Sequence, residues 1–191
     1  NDKLENWQTM LPIMLQEFKR IITDTGCCCC CCGGGGKTPV TAIFTIEAIK
    51  HFNLIQTLVW EKFIGVGWWY RPSYENIIIL SKDKDSYNFY DTSKKCSNVI
   101  KGINQDIPQY NGHKPGQSDD HPTQKPIALM KKLIEIHSKP NDLILDPFCG
   151  SGTTCVAAKA FDRQFIGIDT EQKYVDIANR RLHNTITELF V

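Results

Sequence analysis

Apolar positions near the start of the chain, Leu4, Trp7, Leu11, Met14, Leu15, Phe18, Ile21 and Ile22, recur at helical spacing. Pro12 is placed either to kink that helix or to restart it as a first-turn residue. ITDTG then turns the chain into Cys27–Cys32, read as a strand that Gly33–Gly36 end. A helix is predicted from Pro39 to about His51, with Ile43, Ile46 and Ile49 inward. Gln56–Lys62 and Glu75–Lys82 read as buried strands on either side of GVGWWYRPSY. From Asp83 to Asp120 the periodicity lapses into Ser, Asn, Asp, Lys, Gly and Gln, which predicts an irregular surface insertion. After it come a helix over Pro126–Ser138, a strand over Leu143–Asp146, a helix over Thr153–Phe161, a strand over Phe165–Asp169 and a helix over Glu171–Leu182. Strands alternating with helices predict an α/β fold with a doubly wound, mostly parallel sheet.

At 191 residues the chain suits a single α/β domain with a real core. Its 22 basic and 21 acidic residues balance, so any affinity for a polyanion must come from local patches. The absence of a long apolar run or a leader-like start gives the expectation of a soluble, cytoplasmic protein that does not enter the membrane. Nine cysteines would suggest a disulfide scaffold, but six are consecutive. Neighbouring side chains on a strand face opposite ways, so the run cannot form a ladder of local bridges. Zinc needs spaced ligands from separate turns. The run is better read as small hydrophobes in a buried central strand, and no metal site is assigned.

The stretch LILDPFCGSGTT, Leu143–Thr154, carries the most chemistry. An apolar strand ends at Asp146 and enters a tight loop, Phe148, Cys149, Gly150, Ser151 and Gly152, before Thr153 and Thr154 open a helix. Glycines let the backbone approach a ligand, and a helix N-terminus offers free N–H groups. Asp169 closes the next strand at roughly the ~20-residue interval at which such folds set an acid on ribose hydroxyls. Cys155 stands where a dinucleotide fingerprint wants its third glycine. Two readings remain at this point: an adenosine-containing cofactor other than NAD, or a close relative of the NAD fold. GGGGKTP fails as a phosphate loop, because Cys31 occupies the first required glycine.

Upstream, HPTQKP (His121–Pro126) holds the chain extended into a helix, so that Thr123, Gln124 and Lys125 sit at its N-terminus. The order HPTQKP, helix, LILDPFCGSGTT, FIGIDTEQKYVDIANRRL covers Asp119–Leu182 and resembles the S-adenosylmethionine-dependent amino-methyltransferases of DNA. The likeness is to their beta class, in which the cofactor half follows the catalytic half in a circularly permuted order. The resemblance implies one methyltransferase domain over 1–191, with the end of the catalytic half at 1–82, a target-recognition insertion at 83–120 and the cofactor half at 121–191. It implies S-adenosylmethionine as cofactor and S-adenosylhomocysteine as product. Thr123, Gln124, Lys125, Asp146, Phe148, Cys149, Gly150, Ser151, Gly152, Thr153, Thr154 and Asp169 would bind it, with Ile168 beside the adenine. His121 is read as structural.

The same likeness extends to Trp60-Glu61-Lys62 and to Arg71 with Glu75, which resemble the family's region beside the target base. Lys62, Trp69 and Arg71 are therefore candidates for touching double-stranded DNA and stacking on an extruded base. The implied reaction is transfer of a methyl group to the exocyclic amine of a flipped base, adenine N6 ahead of cytosine N4. A homodimer and a restriction endonuclease partner are the further associations it suggests, in a prokaryotic or phage setting. The family's catalytic tetrapeptide is Asp/Asn/Ser-Pro-Pro-aromatic, and the chain contains no Pro-Pro pair. No catalytic residue is assigned for that reason. The expectation is that the tetrapeptide belongs upstream of Asn1, the less favoured alternative being an inactive cofactor- or DNA-binding relative.

Overall fold

The computed structural model describes residues 4–33, 39–62, 73–103 and 124–185. The chain divides into two compact units, Asn1–Gly102 and Ile103–Val191. In the first unit α1 (Leu4–Ile21), β1 (Cys27–Gly33), α2 (Val40–Ala48), β2 (Asn53–Glu61), β3 (Tyr74–Ser81) and the short β4 (Val99–Ile100) follow in order. The second holds α3 (Ile127–His137), β5 (Leu143–Asp146), α4 (Thr153–Ala160), β6 (Gln164–Gly167) and α5 (Gln172–His183).

The first unit's sheet has the order β1-β3-β2-β4. β3 is antiparallel to both β1 and β2, while β2 and β4 are parallel. The sheet is thus mixed, where the sequence led us to expect a mostly parallel one. Apolar content carries no strand sense; the connection sets it. β1 reaches β2 through α2, and the two run the same way with one position left between them. β3 fills that position in the opposite sense. Burial follows from the position: Ile77, Ile78, Ile79 and Leu80 are all enclosed, as an unbroken apolar run requires.

The first unit departs from the sequence expectation at two further places, β1 and α2. The cysteine strand lies at an edge of the described sheet and not at its centre, because β3 covers only one of its sides. Its thiols do behave as small hydrophobes on one face: Cys32 is buried with Leu11, Leu15, Phe44, Ala48, Phe52, Ile78 and Leu80, and Cys28 and Cys30 pack against that cluster. In α2 the inward residues are Phe44 and Ala48, one turn apart, whereas Ile46 is 61% exposed and Ile49 is also exposed. The ring of Phe44 meets Trp7 of α1, with centroids 6.3 Å apart, which decides the helix's rotation against the all-isoleucine choice. α1 itself runs through Pro12 as one helix.

In the second unit β5 and β6 form a two-stranded parallel sheet, and α3, α4 and α5 pack in succession. Arg163 joins the ends of two of these helices. Its Nε donates to Ser138 Oγ at 3.0 Å and its Nη2 to Ser138 O at 2.7 Å, while Nη1 donates to Phe161 O. The carbonyls at α-helix C-termini lack intrahelical donors, and a buried guanidinium supplies them here. Asn141, at φ 68, makes the turn between α3 and β5 that Pro140 announced. No helix among the described residues is long and apolar enough to cross a membrane.

Candidate functional site

The carboxyl ends of β5 and β6 lie side by side, with Asp146 opposite Gly167. Beyond the strands the pairing continues, as Ile168 N donates to Asp146 O at 2.9 Å and Cys149 N donates to Ile168 O at 2.9 Å. The loop after β5 is therefore laid along the segment after β6. That is the crevice where open α/β sheets take ligands.

Within the loop each turn has its own cause. Asp146 Oδ1 accepts Phe148 N at 3.1 Å, a side-chain turn at the strand's end. Gly150 and Gly152 both have positive φ, 51° and 76°. Gly152 N donates to Cys149 O at 2.8 Å. The next intrahelical bond, Val156 N to Gly152 O at 2.9 Å, starts α4. The N–H groups of Thr153, Thr154 and Cys155 precede it and point out of the helix end, as the first turn of any α-helix leaves them. Gly152 is the N-cap and provides no side-chain cap for them.

Asp169 organises the other side. Its Oδ2 accepts Gly150 N at 3.0 Å and its Oδ1 accepts Glu171 N at 2.9 Å. A carboxylate has about four acceptor sites, so two backbone bonds leave capacity for a pair of hydroxyls. Phe148 and Ile168 flank the acid, 63% and 52% exposed, and offer apolar surface to a flat ring. The sulfurs of Cys149 and Cys155 both lie close beneath Gly167, 3.1 and 2.6 Å from where its Cβ would be. Burial, with Asp146 and Asp169 nearby, raises the Cys149 pKa, and burial pushes Cys155 up to about 12. Neither is a thiolate near neutral pH, so the loop holds no sulfur nucleophile. What this arrangement can hold is a diol at Asp169, an aromatic ring against Ile168 and Phe148, and an anionic group at the start of α4.

Of the predicted site residues, Asp146, Phe148, Cys149, Gly150, Ser151, Gly152, Thr153, Thr154 and Asp169 converge on this one crevice. Gln124 and Lys125 lead directly into α3, whose N-cap is Pro126. Thr123 lies outside the described residues, as do His121, Trp69, Arg71 and the GGGGKTP glycines beyond Gly33. Lys62 is described, and its ammonium is bonded to Glu75 Oε1 at 2.6 Å and sits 5.4 Å from the Trp60 ring centroid. One contributor went unassigned in the sequence. Arg181 of α5 donates from Nη1 to Ser151 O at 2.6 Å, Ser151 Oγ at 2.9 Å and Thr153 Oγ1 at 3.1 Å. The only signal was its position three residues after Ala178, on the same helix face, and that signal acquires meaning once α5 is packed.

The DNA methylase family model, of the N6/N4 amino-methyltransferase type, matches residues 1–180. The type II methyltransferase M.HinfI of Haemophilus influenzae is 58% identical over 62 residues, 32% of this chain and 17% of that protein. M2.LlaDCHI of Lactococcus lactis subsp. cremoris is 54% identical over 67 residues, 35% of this chain and 25% of that one. The aligned stretches thus span a quarter or less of these curated relatives. Among solved structures, the M1.HpyAVI–SAM complex superposes with a TM-score of 0.71 at 27% identity, covering 91% of this chain and 83% of that one. The cytosine-N4-specific PvuII DNA methyltransferase shares the fold, with a TM-score of 0.76 at 18% identity over 96% of this chain and 73% of that one.

Proposed function

The chain belongs to the DNA methylase family, and from that membership we propose that it carries the cofactor-binding half of a site-specific DNA amino-methyltransferase. The transferred methyl comes from S-adenosylmethionine and goes to the exocyclic amine of a base rotated out of the duplex, adenine N6 in preference to cytosine N4. The observation that carries this reading is the double grip of Asp169 on Gly150 and Glu171, which leaves its remaining lone pairs at the crevice.

The residues fit the cofactor part by part. Asp169 holds the ribose hydroxyls, Ile168 and Phe148 border the adenine, and the amides at the start of α4 hold the methionine carboxylate. Gln124 and Lys125, which lead into α3, are assigned to the opposite wall, and Thr123 joins them on the family resemblance alone. When bound, S-adenosylmethionine supplies an electrophilic methyl group; the loop's task is to fix its orientation and keep water away from it. Lys62, Trp69 and Arg71 are assigned to the DNA side and residues 83–120 to recognition of the target sequence. Lys62 would reach a phosphate only by sharing its charge with Glu75. The protein would work in a prokaryotic or phage-infected cytoplasm, as a dimer or beside a restriction endonuclease.

Two measurements on the full chain test the proposal. S-adenosylhomocysteine should bind in preference to NADH, and loss of that preference refutes the cofactor assignment. With methyl-labelled S-adenosylmethionine and unmethylated DNA, label in N6-methyladenine supports the preferred acceptor, and label in N4-methylcytosine replaces it with the second. Binding without any transfer identifies a cofactor half that needs a catalytic tetrapeptide from elsewhere.

A further inference from the structure

We propose that Arg181 is a positioning residue for the amino-acid end of the cofactor, holding the glycine loop in its binding shape from behind; this rests on reading the loop as an S-adenosylmethionine site. Three acceptors, Ser151 O, Ser151 Oγ and Thr153 Oγ1, surround the single nitrogen Nη1 within 2.6 to 3.1 Å. They bracket Gly152, the left-handed residue through which the loop becomes α4. Ser151 and Thr153 are buried, so water cannot readily replace the guanidinium as their donor.

The clamp has a companion on the same helix. A Cβ on Gly152 would lie 2.6 Å from Ala178 Cβ. Ala178 is thus small enough to let the loop against α5, and Arg181, one turn further on, fastens it there. Together they fix the two peptide planes on either side of Gly152 and with them the direction of the Thr153 and Thr154 N–H groups. The positive charge beside that helix start adds to its attraction for a carboxylate. Asp169 acts at the other end, through Gly150. The loop therefore has two separate restraints, one under the ribose and one under the amino-acid portion.

That separation is what the experiment reads. Calorimetric titration of the full chain compares S-adenosylhomocysteine with 5′-methylthioadenosine, which lacks the amino-acid end. Arg181→Met is expected to lower the preference for S-adenosylhomocysteine about tenfold, roughly the loss of one charge-assisted hydrogen bond, while changing methylthioadenosine affinity by less than about twofold on the same scale. Arg181→Lys restores most of the preference, because an ammonium keeps the charge and presents three donors on one nitrogen, where Nη1 shares two among its three acceptors. Asp169→Asn weakens both ligands alike. An unchanged preference in Arg181→Met overturns the proposal, and so does an equal loss for both ligands, which marks a general structural role. If circular dichroism shows Arg181→Met unfolded, the order wild type, Arg181→Lys, Arg181→Gln in preference decides: a falling series supports the proposal and three equal values overturn it. Wild-type chain that binds neither nucleoside overturns the cofactor reading and this proposal together.

Discussion

Replacing Gly152 by alanine tests how tightly the loop is held between α4 and α5. The residue has φ 76°, and an added Cβ would lie 2.6 Å from Ala178 Cβ and 3.1 Å from Ala178 Cα. A Cβ in left-handed backbone costs about 1–2 kcal/mol. Ordinary carbon contacts are about 3.5–4.0 Å, so the methyl overlaps its neighbour by about 1 Å, and overpacking of that kind costs roughly 1–3 kcal/mol. The sum is roughly 2–5 kcal/mol, a large part of a typical domain stability of about 5–15 kcal/mol. Two other glycines separate the contributions. Gly102 has φ 74° with nothing within 4 Å of its would-be Cβ, so Gly102→Ala carries only the backbone cost. Gly167 is not among the positive-φ glycines, and its Cβ would meet Cys155 Sγ at 2.6 Å and Cys149 Sγ at 3.1 Å, so Gly167→Ala carries only the clash. Hydrogen exchange read peptide by peptide measures each variant within its own unit. Gly152→Ala should release the α4 amides most, and should also weaken S-adenosylhomocysteine binding. A Gly152→Ala chain no less protected than Gly102→Ala would refute the close approach of the loop to α5.

Other outcomes follow from the same geometry. Arg163→Met removes the shared donor at the ends of α3 and α4 and leaves buried acceptors behind; a loss of about 3 kcal/mol in urea unfolding is expected, and a loss under about 0.5 kcal/mol, the size of an ordinary surface change, would show the guanidinium to be dispensable. Asp169→Asn keeps the shape but replaces one acceptor oxygen with a donor, so S-adenosylhomocysteine should bind about tenfold or more weakly, which calorimetry checks directly. The thiols give a pH dependence. Burial raises Cys27 to about 11, and Cys32 and Cys155 to about 12, from the ordinary thiol value of 9.0. The folded chain therefore holds these protons more tightly than the unfolded one, so their stability contribution is complete below pH 9 and lost as pH rises toward 12. Urea midpoints should be level between pH 7 and 8.5 and fall by pH 10.5; midpoints that stay level to pH 10.5 contradict the buried-thiol assignment. At pH 8, alkylation should reach the exposed Cys31 and Cys96 before Cys32 and Cys155.

The second unit was the more legible in sequence. Its strand Leu143–Asp146 ends at the residue predicted, and its helices begin and end within a residue or two of their signals, because proline, asparagine and glycine punctuate each turn. The loop after β5 was legible for the same reason: its turns are written in local glycines, and the acid that grips it, Asp169, falls two residues past the end of β6. The first unit withheld more. Which face of α2 turns inward was settled by the contact of Phe44 with Trp7, a tertiary choice between apolar residues of similar character. The sense of β3 and the edge position of β1 depend on which strands neighbour each other, and period-two alternation is silent on that. Arg181 was invisible because its partners are thirty and twenty-eight residues away in sequence.

The place of β3 between β1 and β2 also bears on how the molecule is made. Of these three strands it is the last to be synthesised, yet β1 takes its whole described ladder from it and β2 most of its own. Until Ser81 has emerged, the cysteine strand waits with an unanswered edge, and unpaired edges invite foreign pairing. In the finished unit Cys28 Sγ lies 3.3 Å from Cys30 Sγ, both packed against the apolar cluster as thiols. Any disulfide formed while the strand waits would twist it out of the register in which Cys27 meets Ser81 and Cys32 meets Asn76. Where synthesis runs under oxidising conditions, the yield of native protein should rise with reductant present during synthesis more than with reductant added afterwards.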